Sequence, residues 1–329
     1  MFDSVLVVSF GGPQGPADVR PFLENVLRGR RVSPGRIEEV AHHYEMFGGV
    51  SPITELTLAQ AEGLRQRLAA AGHPLPVYVG MRNWHPLLPD TLRRMHGEGA
   101  RHAIGFIAAP HHSYSSCQQY RENVSTARQE LRRINGADVD VTYVDSWFDH
   151  PLFVTASARR VRAALDTLPA SVRGAARLVC TAHSIPTKSA DASRYREQLQ
   201  ASCALVTAEA GFPDWTLVYQ SRSGRPEDPW LEPDVCEYLR REHAAGLAAA
   251  VLCPIGFVCD HVEVLYDLDF EAGGTCSELG LPMARAATVN DDPLFLDMMA
   301  EMVLRTLSRY EHGRPLPLVN SQLPNTKSQ

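Results

Sequence analysis

Three carboxylates recur every fourth residue in the segment Ile255–Glu271: Glu263, Asp267 and Glu271. On a helix that spacing stacks them in one row, with Val264, Leu265 and Leu268 on the other side. Like charges four residues apart weaken a helix by a few tenths of a kcal/mol per pair, and taken alone such a row is usually a solvated face. Its position argues for more. The row follows an apolar run, Ala248–Cys253, that reads as a buried strand broken by Pro254 and Gly256, with Asp260 and His261 at the turn. Loops at the carboxyl ends of strands in open α/β sheets are where ligands bind. A carboxylate row there suits the passage of a cation or of protons.

His183 stands at the end of a second such run, Leu178–Ala182. A lone histidine is more often structural, but this one and the acidic row both lie at strand ends that would face one cleft. Neutral imidazole accepts a proton near pH 7 and ligates Fe, Zn, Ni or Cu. A histidine and a carboxylate row together suit binding a divalent metal while taking protons from its new host. Other chemistries lack their residues. The chain has no G-x-x-x-x-G-K-[ST], no G-x-G-x-x-G after a strand, no HExxH and no zinc-type Cys/His cluster. Ser184 is outside any G-x-S-x-G elbow, which argues against a hydrolase. Gly11-Gly12-Pro13 is a weak phosphate loop at best.

The elements that must carry these residues alternate between strand and helix. Strand-like runs are expected at Val5–Phe10, Val77–Met81, Ala103–Ala109 and Val141–Val144, then at Leu178–Ala182, Leu217–Gln220, Ala248–Cys253 and Ala284–Val289. Each ends in polar or glycine-rich residues, the pattern of parallel sheets covered on both faces. Asp149-His-Pro-Leu-Phe-Val154 is echoed by Asp291-Asp-Pro-Leu-Phe-Leu296, and Pro110 and Pro254 each close the third strand of their half. The expectation is an α/β duplication: two similar Rossmann-like domains, each a four-stranded parallel sheet flanked by helices. Residues 1–148 with a returning helix at 293–312 form the first, 149–292 the second, and 313–329 a flexible tail. The cleft between them is the default binding site.

Bulk properties agree. A chain of 329 residues suits two domains, and a net charge of -6 argues against a general nucleic-acid binder. The longest apolar stretch, Ala244–Cys259, is interrupted by Pro254 and too short to span a bilayer. No signal peptide is visible, and seven cysteines without a CxxC pair make no disulfide framework, so a cytoplasmic protein is expected. The most basic stretch, Arg28-Gly-Arg-Arg31, reads as an exposed helix end or an anion clamp.

Thr181-Ala-His-Ser-Ile-Pro186, Asp228-Pro-Trp-Leu-Glu-Pro-Asp234 and Ile255–Asp269 resemble the signatures of ferrochelatases, as do Phe47-Gly-Gly-Val-Ser-Pro-Ile53 and Ser9-Phe-Gly-Gly-Pro13. The similarity runs from about residue 3 to 310. It implies the chelatase fold and insertion of Fe(II), as substrate, into a porphyrin held in the cleft. It implies His183 as catalytic base or metal ligand and Glu263 facing it across the ring centre, with Asp267 and Glu271 carrying metal in or protons out. Arg28, Arg30, Arg31, Ser51 and Tyr120 match porphyrin-binding positions, where guanidinium suits carboxylate. Phe10 and His43 match the same site but depart from the pattern: several Gram-positive members have tyrosine at the first and arginine at the second. The early segments Phe10–Pro16 and Val19–Arg31 resemble the Gram-positive branch, which metallates coproporphyrin III, with Arg121 a further candidate donor. Protoporphyrin IX as substrate, a cobalt or nickel chelatase, and a non-catalytic tetrapyrrole or metal carrier are the alternatives. No permanently bound cofactor is expected. Cys117 matches a cysteine of the iron–sulfur branch, but alone it holds no cluster, and the tail has no cysteine. The implied partners are porphyrin and ferrous iron, with transient contact to the next haem-pathway enzyme left open.

Overall fold

The computed structural model describes residues 1–29, 34–224 and 227–311. Within them, β1 (Ser4–Ser9), β2 (Val77–Met81), β3 (His102–Ile107) and β4 (Asp140–Tyr143) form one sheet, and β5 (Ala176–His183), β6 (Trp215–Gln220), β7 (Ala249–Cys253) and β8 (Met283–Arg285) another. The orders are β2-β1-β3-β4 and β6-β5-β7-β8, the same arrangement twice, with every pairing parallel. The expected duplication is therefore present. Strands β1 and β7 are buried along their whole length, and β3 and β5 everywhere but at their ends, because helices cover both faces.

β8 is shorter than the expected Ala284–Val289. Ala286 N–H still donates to the Leu252 carbonyl at 2.8 Å, but Thr288 N–H turns to Asp260 Oδ1 at 3.4 Å and its hydroxyl to the side-chain oxygen of Asn290 at 2.8 Å. Side chains there take over the hydrogen bonds a ladder would have made, and the chain leaves the sheet.

The helices of the first half are α1 (Val19–Leu27), α2 (Pro34–Met46), α3 (Ile53–Ala70), α4 (Leu88–Gly97) and α5 (Gln119–Asn135). The second half has α6 (Pro151–Thr167), α7 (Ala170–Arg173), α8 (Thr187–Asp191), α9 (Tyr195–Ala210) and α10 (Val235–Ala244), then α11 (Val262–Val264), a π-helical stretch Leu265–Ala272, α12 (Gly273–Leu279) and α13 (Pro293–Glu311). The two echoed Pro-Leu-Phe motifs open α6 and α13. His150 Nδ1 accepts from Leu152 N–H at 3.3 Å, and the Asp292 carboxylate accepts from Leu294 N–H at 3.0 Å. Proline at the first helical position removes an N–H that would have had no partner.

The halves share one hydrophobic cluster that takes in both sheets and helices α3, α6, α9 and α13. α13 returns to α3 and β3 of the first half and also packs along α6. Phe295, fully buried, meets Trp147 and Phe153 at centroid separations of 5.7 and 6.3 Å. The tail 313–329 lies outside the described residues. Among the described residues no helix is long and apolar enough to cross a membrane. Truncating Phe295 removes the ring that links both halves, so Phe295→Ala is expected to cost about 3–5 kcal/mol, read as a lower urea midpoint. Circular dichroism and tryptophan fluorescence should report one shared transition, because the halves have one core.

Candidate active site

The carboxyl ends of β6, β5 and β7, neighbours in one sheet, deliver the chemistry. His183 is the last residue of β5. Its Nδ1 donates to the Ser184 carbonyl, which fixes the tautomer and leaves the Nε2 lone pair directed into the cleft when the ring is neutral. The loop behind it is held by the Asp228–Asp234 motif: Leu231 N–H donates to the Ile185 carbonyl at 3.0 Å and the Ser184 hydroxyl to the Leu231 carbonyl at 2.8 Å. Tyr195 donates to the His183 carbonyl at 3.0 Å. Gly256, just past β7, passes so close to Ala182 that a Cβ would lie 2.8 Å from its Cα, so only glycine lets the two strand ends meet.

Glu263 begins the acidic row. Its Oε2 lies 3.9 Å from His183 Nε2 and 3.6 Å from Nε2 of His261, whose Nδ1 donates to the Cys259 carbonyl. The two side chains expected to face each other across a ring centre are thus side by side. A macrocycle needs about 3.5 Å of carbon contact on each face, so none fits between them. Burial pushes the Glu263 carboxyl up, but the nearby His261 and the charges of both imidazoles outweigh it and hold the group below the usual range. Burial likewise opposes a charged His261, and Glu263 reverses that, raising its pKa.

Asp267 differs. Its oxygen accepts from the Ser221 hydroxyl and from Gln220 Nε2 at 3.2 Å, both neutral donors at the end of β6. Ser221 takes a left-handed φ of 58° to reach it, a conformation serine adopts only where the surroundings impose it. Burial first, then repulsion from Glu263 and Glu271, raises Asp267 to about 7 despite these bonds. Glu271 is exposed at the outer end of the row.

The row is not wound as expected. It begins in α11, but Leu265–Ala272 forms a π-helix. Four residues overshoot a full turn of an α-helix and fall short of one in the wider π turn, so the mixed winding keeps the three carboxylates roughly in line. Among the described residues no group of three His, Cys, Asp or Glu side chains could hold a metal ion. The row is a series of separate stations.

The first half closes over this site. Val19, Phe22, Leu23, Ala41 and Tyr44 of α1 and α2 pack on Val262, with Phe10, Trp84 and Tyr266 at the edge of the cluster. His43 stacks on Tyr266, with centroids 3.5 Å apart and planes 12° apart. Phe10 follows β1 and meets Phe22 edge-on at 6.3 Å. Arg28 is exposed at the end of α1 and donates to Asn25 at 2.5 Å. Ser51 is only 2% exposed and donates its N–H to the Pro13 carbonyl at 2.9 Å, locking the loop after β1. Tyr120 is buried, and Arg121, exposed, lies 4.6 Å above the Tyr143 ring. Arg30 and Arg31 lie outside the described residues. His261, Gln220 and Ser221 touch the acidic row and were given no role by sequence reasoning. The signal for His261 was its place at the turn; Gln220 and Ser221 become visible only once β6 is known to lie beside β5.

A profile of the ferrochelatase family matches residues 3–307, and the chain belongs to that family. A Rhodopirellula baltica protein named ferrochelatase is 47% identical over 309 residues, covering 94% of this chain and 87% of its own. Proteins named coproporphyrin III ferrochelatase from Streptomyces coelicolor and Nocardia farcinica are 45% and 46% identical, each covering 92% of this chain and 85% and 87% of their own. The solved structure of Bacillus subtilis SirB with Fe3+ shares the fold at a TM-score of 0.59 and 11% identity, covering 96% of this chain and all of that one.

The raised Asp267 has a consequence for stability. The folded state holds this proton more tightly than the unfolded chain, so its contribution is complete below the ordinary carboxyl pKa near 3.8 and is lost as pH rises through about 7. Asp267→Asn should therefore raise the melting temperature at pH 8 by a few degrees and leave it unchanged at pH 4. Equal gains at both pH values would show that the carboxyl is not the group responsible.

Proposed function

We propose that this chain inserts Fe(II) into coproporphyrin III, giving coproheme, with the side-by-side pair His183 and Glu263 as the catalytic groups. The observation that carries the reading is Nε2 of His183 set 3.9 Å from an ionised Glu263 at the head of a carboxylate row. Two pyrrole N–H protons must leave as one Fe(II) enters. Nε2 of His183 takes a proton or presents the metal, and Glu263 balances the positive charge that gathers there. Asp267, poised near neutrality, accepts and releases protons at little cost, and Glu271 passes them to water. The same carboxylates serve as stations for the incoming cation. The iron is substrate, and in this reading the chain works in the cytoplasm without a resident cofactor or iron–sulfur cluster.

The relatives named coproporphyrin III ferrochelatase support the choice of porphyrin. Coproporphyrin III has propionates at two positions where protoporphyrin IX has vinyls. Donors meant for four carboxylates, with Arg28, Arg30, Arg31 and His43 as candidates, would be left unpaired against a vinyl at about 1–3 kcal/mol each. Tyr120 and Ser51, both buried, suit shaping the pocket wall, and Phe10 offers an apolar face in place of a phenolate.

His183→Ala and Glu263→Gln are each expected to lower Fe(II) insertion by at least about a hundredfold, some 2.7 kcal/mol of barrier, while porphyrin binding persists. Anaerobic turnover followed in the Soret and Q bands measures this. Loss of less than tenfold in either variant refutes its role. The second test is selectivity: kcat/KM with Fe(II) should favour coproporphyrin III over protoporphyrin IX by about tenfold or more in detergent-matched assays. Equal or better efficiency with protoporphyrin IX overturns the substrate assignment and leaves the family assignment standing.

A further inference from the structure

Arg285 is the last residue of β8, with a side chain only 14% exposed. All three guanidinium nitrogens are engaged. Nε and one terminal nitrogen form a fork on Asp269 at 2.5 and 2.9 Å, and the other donates to Asp260 at 2.9 Å. Asp260 precedes Glu263, and Asp269 follows Asp267 inside the π-helical stretch. One side chain thus grips the acidic segment at both ends.

The Asp260 end is fixed independently. Its N–H donates to Asn290 Oδ1 at 2.8 Å, and Asn290 Nδ2 donates to its carboxylate at 2.9 Å. Asn290 adopts a left-handed φ of 49°, and its carbonyl accepts from Gln60 of α3 at 2.8 Å, which ties the anchor to the first half of the molecule. The movable end is Asp269. A π-helix has more residues per turn and a smaller rise per residue than the α-helix the same chain could form, and long π stretches are rare for lack of intrinsic preference. Rewinding to α would drive Asp269 away from Asp260 and turn Asp267 relative to Glu263. The fork opposes both movements.

We propose that Arg285 is a positioning residue for metal insertion: by bridging Asp260 and Asp269 it holds the π winding and so sets the relative direction of Glu263 and Asp267. The inference deepens the ferrochelatase reading and rests on it for its catalytic consequence. Lysine, a single flexible point charge, does not replace a planar fork that reaches two carboxylates.

The test pairs hydrogen exchange with kinetics on the full-length protein. In Arg285→Met, amides of Leu265–Ala272 should exchange at least about tenfold faster while the sheet amides keep their protection. Its kcat should fall by about 10–100-fold with the porphyrin KM within about twofold, and Arg285→Lys should not restore it. Adding Asp269→Asn to Arg285→Met should cost less than about twofold more, since both remove the same bridge. Unchanged exchange, unchanged kcat in an otherwise active protein, restoration by lysine, or losses that multiply each overturn the proposal. Should Arg285→Met fail to fold, Asp269→Asn alone, at a residue 41% exposed, must show the same local exchange in smaller measure, and its absence is equally fatal. If the wild-type protein metallates no porphyrin, the functional reading fails, and the exchange data still judge the clamp.

Discussion

An ionised carboxylate in a closing cleft has to be stabilised by its neighbours, because water can no longer do so in full. Glu263 meets that demand with two imidazoles, one from the end of β5 and one from its own turn. Asp267, on the same row, receives a hydroxyl and an amide from the end of β6, both neutral, among the described residues. Like-charged neighbours given different partners drift apart in pKa, one staying charged and the other settling near neutrality. The rest of the architecture serves that difference. β5 and β6 end at one level, His183 beside Gln220, while β7 stops three residues lower, level with Cys180, and its loop carries His261 and the row up to them.

The second half carries this chemistry and the first half covers it. α1 and α2 bury an apolar cluster against Val262, and His43 lies flat on Tyr266. The cover is small beside the continuous core that joins the two sheets. The frame that aligns His183 with the acidic row rests on that core and not on the cover.

Much of this was legible in the residues. Apolar runs closed by polar turns located seven of the eight strands to within a residue or two, and the echoed Pro-Leu-Phe motifs disclosed the duplication, because capping is local chemistry. His183 and the carboxylate row stood out because each followed a buried strand. The winding of the row was not legible: a four-residue repeat fits an α turn and a π turn almost equally, and what decides is Arg285, distant in sequence. β8 likewise ended earlier than its apolar residues implied, because Thr288 turns to the side chains of Asp260 and Asn290. The placement of His183 beside Glu263 depends on which strands are adjacent, which no local pattern encodes. Ser51 and Tyr120 were identified by their match to a binding motif, and motif position says nothing about how deeply a side chain is buried.

The π-helical stretch Leu265–Ala272 can also be viewed as a matter of counting. A wider turn accommodates more residues between the same two fixed points than an α-helix would. The direction of each carboxylate is therefore written in the length of the segment as well as in its composition. Deleting one residue there would keep every functional side chain and the strands around them, yet put the downstream carboxylate out of phase with the one before it. In this part of the chain an insertion or deletion is a change of aim, and it is the kind of change that a substitution scan never samples.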